Sequence, residues 1–421
     1  MRKLFLPQTW LWIAILALLP TSVSALDWPQ WRGPERDGIS KETGLLKSWP
    51  QGGPKMLWQA PLEQGYSSMI VVGKRLYTQY QKDEKQYVAE FDVATGKELW
   101  KFETGGKVHT DPDWPGPRST PLYSDGKLYV LDALGNMFCF DAKTKEKIWQ
   151  VNILQSFGAK NLTWNIAMSP LLDGDILIVN PCISDSNSFV GLDRKTGKPA
   201  WQAVDPATKK GLGDAAGYSS PVVATLAGVR QYVFFAGSGP LGVSTKDGAR
   251  LWHFPWKTDY DLNAATPIIK GDKVFITSGY NHGCALLQIK PGNPQTVETV
   301  WKSKVMRSQV STPILHQGYL YGYDEEGALN EFVCVNMDTG KKMWGDEGFG
   351  KGTLAMADGL LYVVGEKGNL ALVRPSTEKC DRISEFKTPL TKICWIMPVI
   401  ANGRLYVRDE ALMLCYDISG K

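Results

Sequence analysis

Histidine is scarce in this chain, and cysteine is nowhere arranged for metal or haem. Among 421 residues there are 4 His and 7 Cys. His109, His253, His282 and His316 stand far apart, and neither Cys-x-x-Cys-His nor a paired Cys-x-x-Cys occurs. These absences exclude c-type haem attachment and a zinc-finger-like centre. An excess of one charge is also missing: 47 Lys and Arg stand against 43 Asp and Glu, a balance that argues against nucleic acid or an anionic membrane as main partner. The odd cysteine count leaves at least one thiol free or paired between molecules. Cys139, Cys334 and Cys415 read as small buried apolar side chains, whereas Cys380 and Cys394 are the pair that a disulfide across a loop would join.

Long apolar runs are lacking too. The stretch from about Trp10 to Leu19 is short for a membrane-spanning helix. Preceded by Arg2-Lys3 and followed by Thr21-Ser22-Val23-Ser24-Ala25, it reads as a signal peptide, residues 1–25, cleaved after Ala25. The alternative is an uncleaved anchor. No Cys follows the cleavage region, so no lipoprotein tether is expected. The expectation is a periplasmic or secreted monomer with no stable membrane insertion once the leader is removed.

What is abundant is a repeat. Its clearest copy is Asp92-Val93-Ala94-Thr95-Gly96-Lys97-Glu98-Leu99-Trp100, with relatives at Asp141 to Trp149, Asp193 to Trp201, Ser244 to Trp252 and Asn336 to Trp344, and looser copies ending at Trp301 and near Ile383. Trp58, Trp100, Trp149, Trp201, Trp252, Trp301 and Trp344 recur every 42 to 52 residues, a period that marks a propeller or a similar array. The Asp is suited to accept backbone N–H groups two and three residues on, and the Gly to supply a positive φ. Regular spacing makes the Trp residues packing elements between units; ligand stacking is the rival reading.

A second marker precedes each unit, a small-residue and Pro step leading into an apolar strand, as in Ser119-Thr120-Pro121 before Leu122. It recurs at Ser169-Pro170, Ser220-Pro221, Thr266-Pro267, Ser311-Thr312-Pro313 and Met397-Pro398, with weaker forms at Ser67-Ser68 and Gly352-Thr353. Asp125-Gly126 between two apolar runs is a hairpin signal. Each unit therefore reads as four antiparallel strands, and eight units as an all-β, eight-bladed propeller. The last unit stops inside its Asp turn at Lys421 without a fourth strand, while a Lys-x-x-Trp strand stands alone at Lys55 to Trp58. The domain scheme is thus an N-terminal extended segment, 26–54, and a propeller, 55–421, in which residues 55–62 complete the last blade, so that both termini close the ring. Loss of either end is expected to unfold it.

The repeat, its eight copies and the leading segment Asp27-Trp28-Pro29-Gln30-Trp31-Arg32-Gly33-Pro34-Glu35-Arg36-Asp37-Gly38-Ile39-Ser40 resemble the pyrroloquinoline quinone (PQQ) repeat propellers over nearly the whole mature chain. That superfamily includes quinoprotein alcohol dehydrogenases and the non-enzymatic BamB-like rings. The dehydrogenases place two adjacent cysteines against PQQ, and no Cys-Cys pair exists in this sequence. The resemblance therefore implies a non-catalytic scaffold that binds a protein or extracellular polymer on its loop face, with no cofactor and no metal. A PQQ- and Ca²⁺-dependent oxidoreductase acting on alcohols or sugars is the alternative. A ligand-sensing or carbohydrate-binding ring is a third reading, suggested by Trp114, Trp164 and Trp256.

The loops before each blade's first strand should rim one mouth of the channel. They carry Arg118, Trp164, Asn165, Tyr218, Asn263, Arg307, Gln309 and Trp395 as candidate ligand or cofactor contacts, with Asp259 and Asp261 as candidate catalytic carboxylates. Asp259, Asp261 and Asn263 offer oxygens to a cation, or are solvated and cap a turn. Arg118 and Arg307 clamp an anion, or neutralise carboxylates on adjoining loops. The longest loop, Glu103 to Arg118, is rich in Pro and is the candidate lid.

Overall fold

The computed structural model describes residues 26–108, 114–182, 189–212, 214–326 and 330–420. The expected leader, and His109 to Asp113 of the Pro-rich loop, lie outside the described residues.

Asp125 (φ 48) and Gly126 (φ 74) adopt the left-handed turn that Asp-Gly suits, joining Leu122–Ser124 to Lys127–Leu131. Asn136–Asp141 and Lys147–Asn152 follow in antiparallel register. The middle strands of this sheet are buried along their length, whereas the outer strand alternates with Trp149 inward. Eight such sheets occur, each with four antiparallel blade strands, and one of them carries a fifth, parallel strand. Blade 1 comprises Ile70–Val72, Arg75–Lys82, Lys85–Asp92 and Glu98–Gly106; blades 2 to 7 start at Leu122, Leu171, Val222, Ile268, Ile314 and Thr353. In blade 8, Val399–Ala401, Arg404–Arg408 and Leu412–Asp417 are completed by Met56–Pro61, which runs antiparallel with Trp58 opposite Cys415. Leu45 bridges Ser419 beside it, so the two ends of the chain are stitched into one sheet.

The Asp turn forms as its chemistry requires. Asp92 Oδ1 accepts from the backbone N–H of Ala94 and of Thr95, each at 3.0 Å, and from the Thr95 hydroxyl at 2.9 Å. These donors hold its carboxyl below the usual range. The repeat Trp then reaches across to the next blade: the indole N–H donates to Val93 O from Trp58 (2.8 Å), to Arg194 O from Trp149 (3.0 Å) and to Met337 O from Trp301 (2.9 Å). Gly197 (φ +71) lies under the Trp149 ring, and a Cβ there would sit 2.6 Å from it. Thus one residue satisfies both the turn and the close approach. In blade 2 the Gly is replaced by Lys145, itself at φ 69, whose ammonium lies 5.7 Å from the Trp100 ring and pairs with buried Glu90. Trp252 departs from the pattern by bonding Gln231 of its own blade.

The Ser/Thr steps form a belt around the channel. In four of the eight steps the backbone N–H donates to the step hydroxyl of the following blade: Ser68 to Thr120 (3.2 Å), Thr120 to Ser169 (2.9 Å), Ser169 to Ser220 (2.9 Å) and Thr266 to Thr312 (2.9 Å).

The N-terminal segment is more than an extended lead-in. Trp28 exchanges backbone hydrogen bonds with Val71 of blade 1 (2.8 and 2.9 Å), and Pro29 O accepts from Tyr123 N of blade 2 (2.8 Å). Arg36 donates to Pro170 O of blade 3 (3.1 Å), Trp31 to the Thr266 hydroxyl of blade 5 (3.2 Å), and Arg32 to Thr312 O and Pro313 O of blade 6 (3.1 and 3.0 Å). Ile39–Ser40 then pairs in parallel with blade 7. A stretch bonded to six blades crosses the channel, and it plugs it. Burial lowers the pKa of Arg32 to about 10 and that of Arg36 to about 9, and backbone carbonyls take the place of counter-ions.

All seven cysteines are free thiols. Cys380 packs against the core of blades 6 and 7, and Cys394 belongs to the core joining blades 8 and 1, so the loop disulfide does not form.

Candidate functional site

The residue two places before each Ser/Thr step projects into the channel mouth. Tyr66, Arg118, Ala167, Tyr218, Ala264, Val310 and Trp395 occupy this position in seven blades, and all seven line one funnel. In blade 7 the equivalent residue is Lys351, whose ammonium donates to the funnel residue Gln309 (2.7 Å). Trp114, Trp164, Leu262 and Tyr280 add to the wall, and Trp31 of the plug also lines it. The space is about 170 Å³, enough for one ring or side chain, and the plug makes it blind.

Two aromatic groups face this space. Tyr66 and Trp114 flank Trp395, with centroids at 6.1 and 6.4 Å and planes within 32° and 24°. The Trp395 indole donates to Glu366 (3.1 Å). The other group is Trp164 with Tyr218 (6.0 Å) and Tyr260 (5.5 Å), extended to Tyr280. Tyr218 holds its place with a positive φ of 71°, in a bridge to Asn263.

Arg118 is the cation of the funnel. Its guanidinium donates to Trp114 O (2.8 Å) and Gly116 O (3.2 Å) and lies 5.6 Å from the Tyr66 ring. It forms no ion pair among the described residues, and burial lowers its pKa. Glu410, within electrostatic range, faces the Tyr66 hydroxyl and is itself raised by burial. On the opposite side, buried Glu325 accepts from the backbone of Gln309 and Val310 and from the Ser311 hydroxyl (2.8 Å). Burial pushes its carboxyl up to about 7, so the loop carrying Gln309 and Val310 hangs on a titratable group.

Of the sequence candidates, Arg118, Trp164, Tyr218, Gln309 and Trp395 come together in the funnel. The remainder lie outside the funnel. Arg307 is paired with Asp324 through two short bonds (2.6 and 2.7 Å). Asn165 Oδ1 accepts from Asn161 (3.0 Å). Asp261 pairs with Lys257, and Asp259 lies in an exposed turn beside Tyr260. Asn263 is buried, with its oxygen taken by Thr258 and Ser278 and its amide by Ala236 O. This trio does not converge, and no group of three His, Cys, Asp or Glu suited to a metal gathers among the described residues. The donor set thus lacks the converging oxygens that a Ca²⁺ ion bridging PQQ would require. Tyr66, Tyr280 and Trp31 escaped the sequence reading. The repeat position before the step marks Tyr66; nothing local marks the other two.

A second cleft holds Ser238, His253 and Asp214. Ser238 Oγ lies 2.8 Å from His253 Nε2 and donates to Asp214. The serine stands in the middle, so its proton is committed to the carboxylate and not to a base, unlike a hydrolytic triad.

Among solved structures the fold resembles BamB from Moraxella catarrhalis, at 16% identity and a TM-score of 0.58, over 86% of this chain and 99% of that one. It also resembles quinohemoprotein alcohol dehydrogenase from Comamonas testosteroni, at 11% identity and a TM-score of 0.65, over 94% and 81%. A tetrathionate hydrolase from Acidithiobacillus ferrooxidans is 26% identical over 129 residues, 29% of this chain, which spans only 21% of that relative's length. The family model described as outer membrane protein assembly factor BamB matches residues 84–346. With its repeats, belt and clasped ring, this chain belongs to that BamB family of PQQ-repeat propellers.

Proposed function

We propose that this protein is a non-catalytic propeller, working in the periplasm or outside the cell, that holds a segment of a protein or polymer on its loop face. The aromatic funnel carries this reading: a concave, largely apolar mouth with one partly buried cation is a binding surface. Family membership agrees with it. No helix among the described residues is long and apolar enough to cross a membrane. A PQQ- and Ca²⁺-dependent oxidoreductase is the second reading, motivated by the likeness of fold to the quinohemoprotein.

The two readings separate on one titration. PQQ and Ca²⁺ are added while melting temperature and dye reduction with a panel of alcohols and sugars are followed. The scaffold reading expects neither a shift nor turnover, and expects a photo-crosslinker placed at Trp164 to capture a cell-envelope component. A saturable rise in melting temperature with turnover would overturn it.

A further inference from the structure

We infer that the funnel receives the terminal acidic sugar of a polymer, a uronate-type pyranose whose carboxylate meets Arg118. The inference rests on the scaffold reading and narrows its ligand. Three observations carry it together. First, the funnel is blind, because the plug crosses the channel and Trp31 lines the cavity. With about 170 Å³ of room, it admits the end of a chain but not its passage. Second, the walls are two separate aromatic groups, one around Trp395 and one around Trp164. Such faces pack against the C–H faces of a pyranose, while hydroxyls and amides at the edge meet its hydroxyls. Tyr218, Tyr280 and Gln309 supply those edge groups. Third, Arg118 spends two of its N–H groups on backbone carbonyls and has no carboxylate partner among the described residues. The carbonyls fix the plane of the guanidinium and leave three donors, a fork that matches a carboxylate.

The test uses the purified protein, tryptophan fluorescence and calorimetry, with D-glucuronate, D-galacturonate, D-glucose and benzoate as probes. At least one uronate is expected to bind tenfold or more tightly than glucose and benzoate. Arg118→Gln should remove that preference while leaving the melting temperature within a degree or two, and Trp164→Ala should weaken every sugar. Arg118→Lys, which keeps the charge but not the fork, should restore only part of the preference. Equal binding of glucose and uronate would overturn the role of Arg118. Tighter binding of benzoate would replace the sugar with a flat aromatic anion, and no binding of any uronate would overturn the inference outright. Capture of a protein at Trp164 without uronate binding would leave the scaffold reading standing and this one refuted.

Discussion

At the scale of single residues, the repeat Trp and the turn glycine work as a pair across each blade boundary. Trp149 buries its ring, donates to Arg194 O and covers Gly197. Trp149→Ala is expected to cost about 3–5 kcal/mol through the cavity and the orphaned carbonyl. Gly197→Ala should also destabilise, by more than about 1 kcal/mol, because its φ is left-handed and the new methyl meets the ring. Both are read from denaturant midpoints. Glu325 gives a pH prediction. Its folded pKa is about 7 against an ordinary 4.5, so the folded chain binds its proton more tightly. The stability it contributes is full below the ordinary value and is lost as pH rises through about 7. Melting temperature should therefore fall between about pH 5 and 8, by an amount worth roughly 2–3 kcal/mol, and Glu325→Gln should flatten that slope. A slope unchanged in the variant would refute the assignment.

At the scale of elements, the plug and the closing strand are what the ring adds to a row of repeats. Arg32 donates to four backbone carbonyls, those of Arg36, Asp37, Thr312 and Pro313. Arg32→Ala should cost about 3 kcal/mol, since it strands buried acceptors, and thermal melting of the variant checks it. The turn, the Ser/Thr step and the blade count were legible from the sequence, because each recurs as the same short run of residue types at the period of the repeat. The plug was not: Trp28 to Ser40 has neither helical nor strand periodicity, and its partners are remote in the chain, as with Arg32 and Pro313 or Ile39 and Met356. Asp259, Asp261 and Asn263 were open to two readings, cation ligands or solvated turn residues, because sequence proximity does not say where oxygens point; in the fold Asp261 pairs with Lys257 and the Asn263 oxygen is taken by Thr258 and Ser278.

At the scale of the whole molecule, a closed ring differs from an open solenoid because it has no end from which to fray. Met56–Pro61 makes blade 8 continuous through both termini. The intact protein should unfold in a single calorimetric transition whose van't Hoff and calorimetric enthalpies agree. Removal of residues up to Pro61 should broaden or split that transition and lower its midpoint by 10 °C or more. A truncated chain that melts like the intact one would show that the clasp does not hold the ring.

The sequence by itself determined the eight blades, the position of their turns and the strand that closes the ring, since a periodic pattern of apolar, turn and small residues is a local property repeated eight times. It also marked Arg118, Trp164, Tyr218, Gln309 and Trp395, because they sit at or near one repeat position. Only the tertiary structure decided that these five meet in a blind funnel while Asn165, Asn263 and Arg307 are committed to other partners. Convergence of eight loops on one axis depends on the curvature of the ring and on the segment that fills its centre, and neither is written in any single repeat.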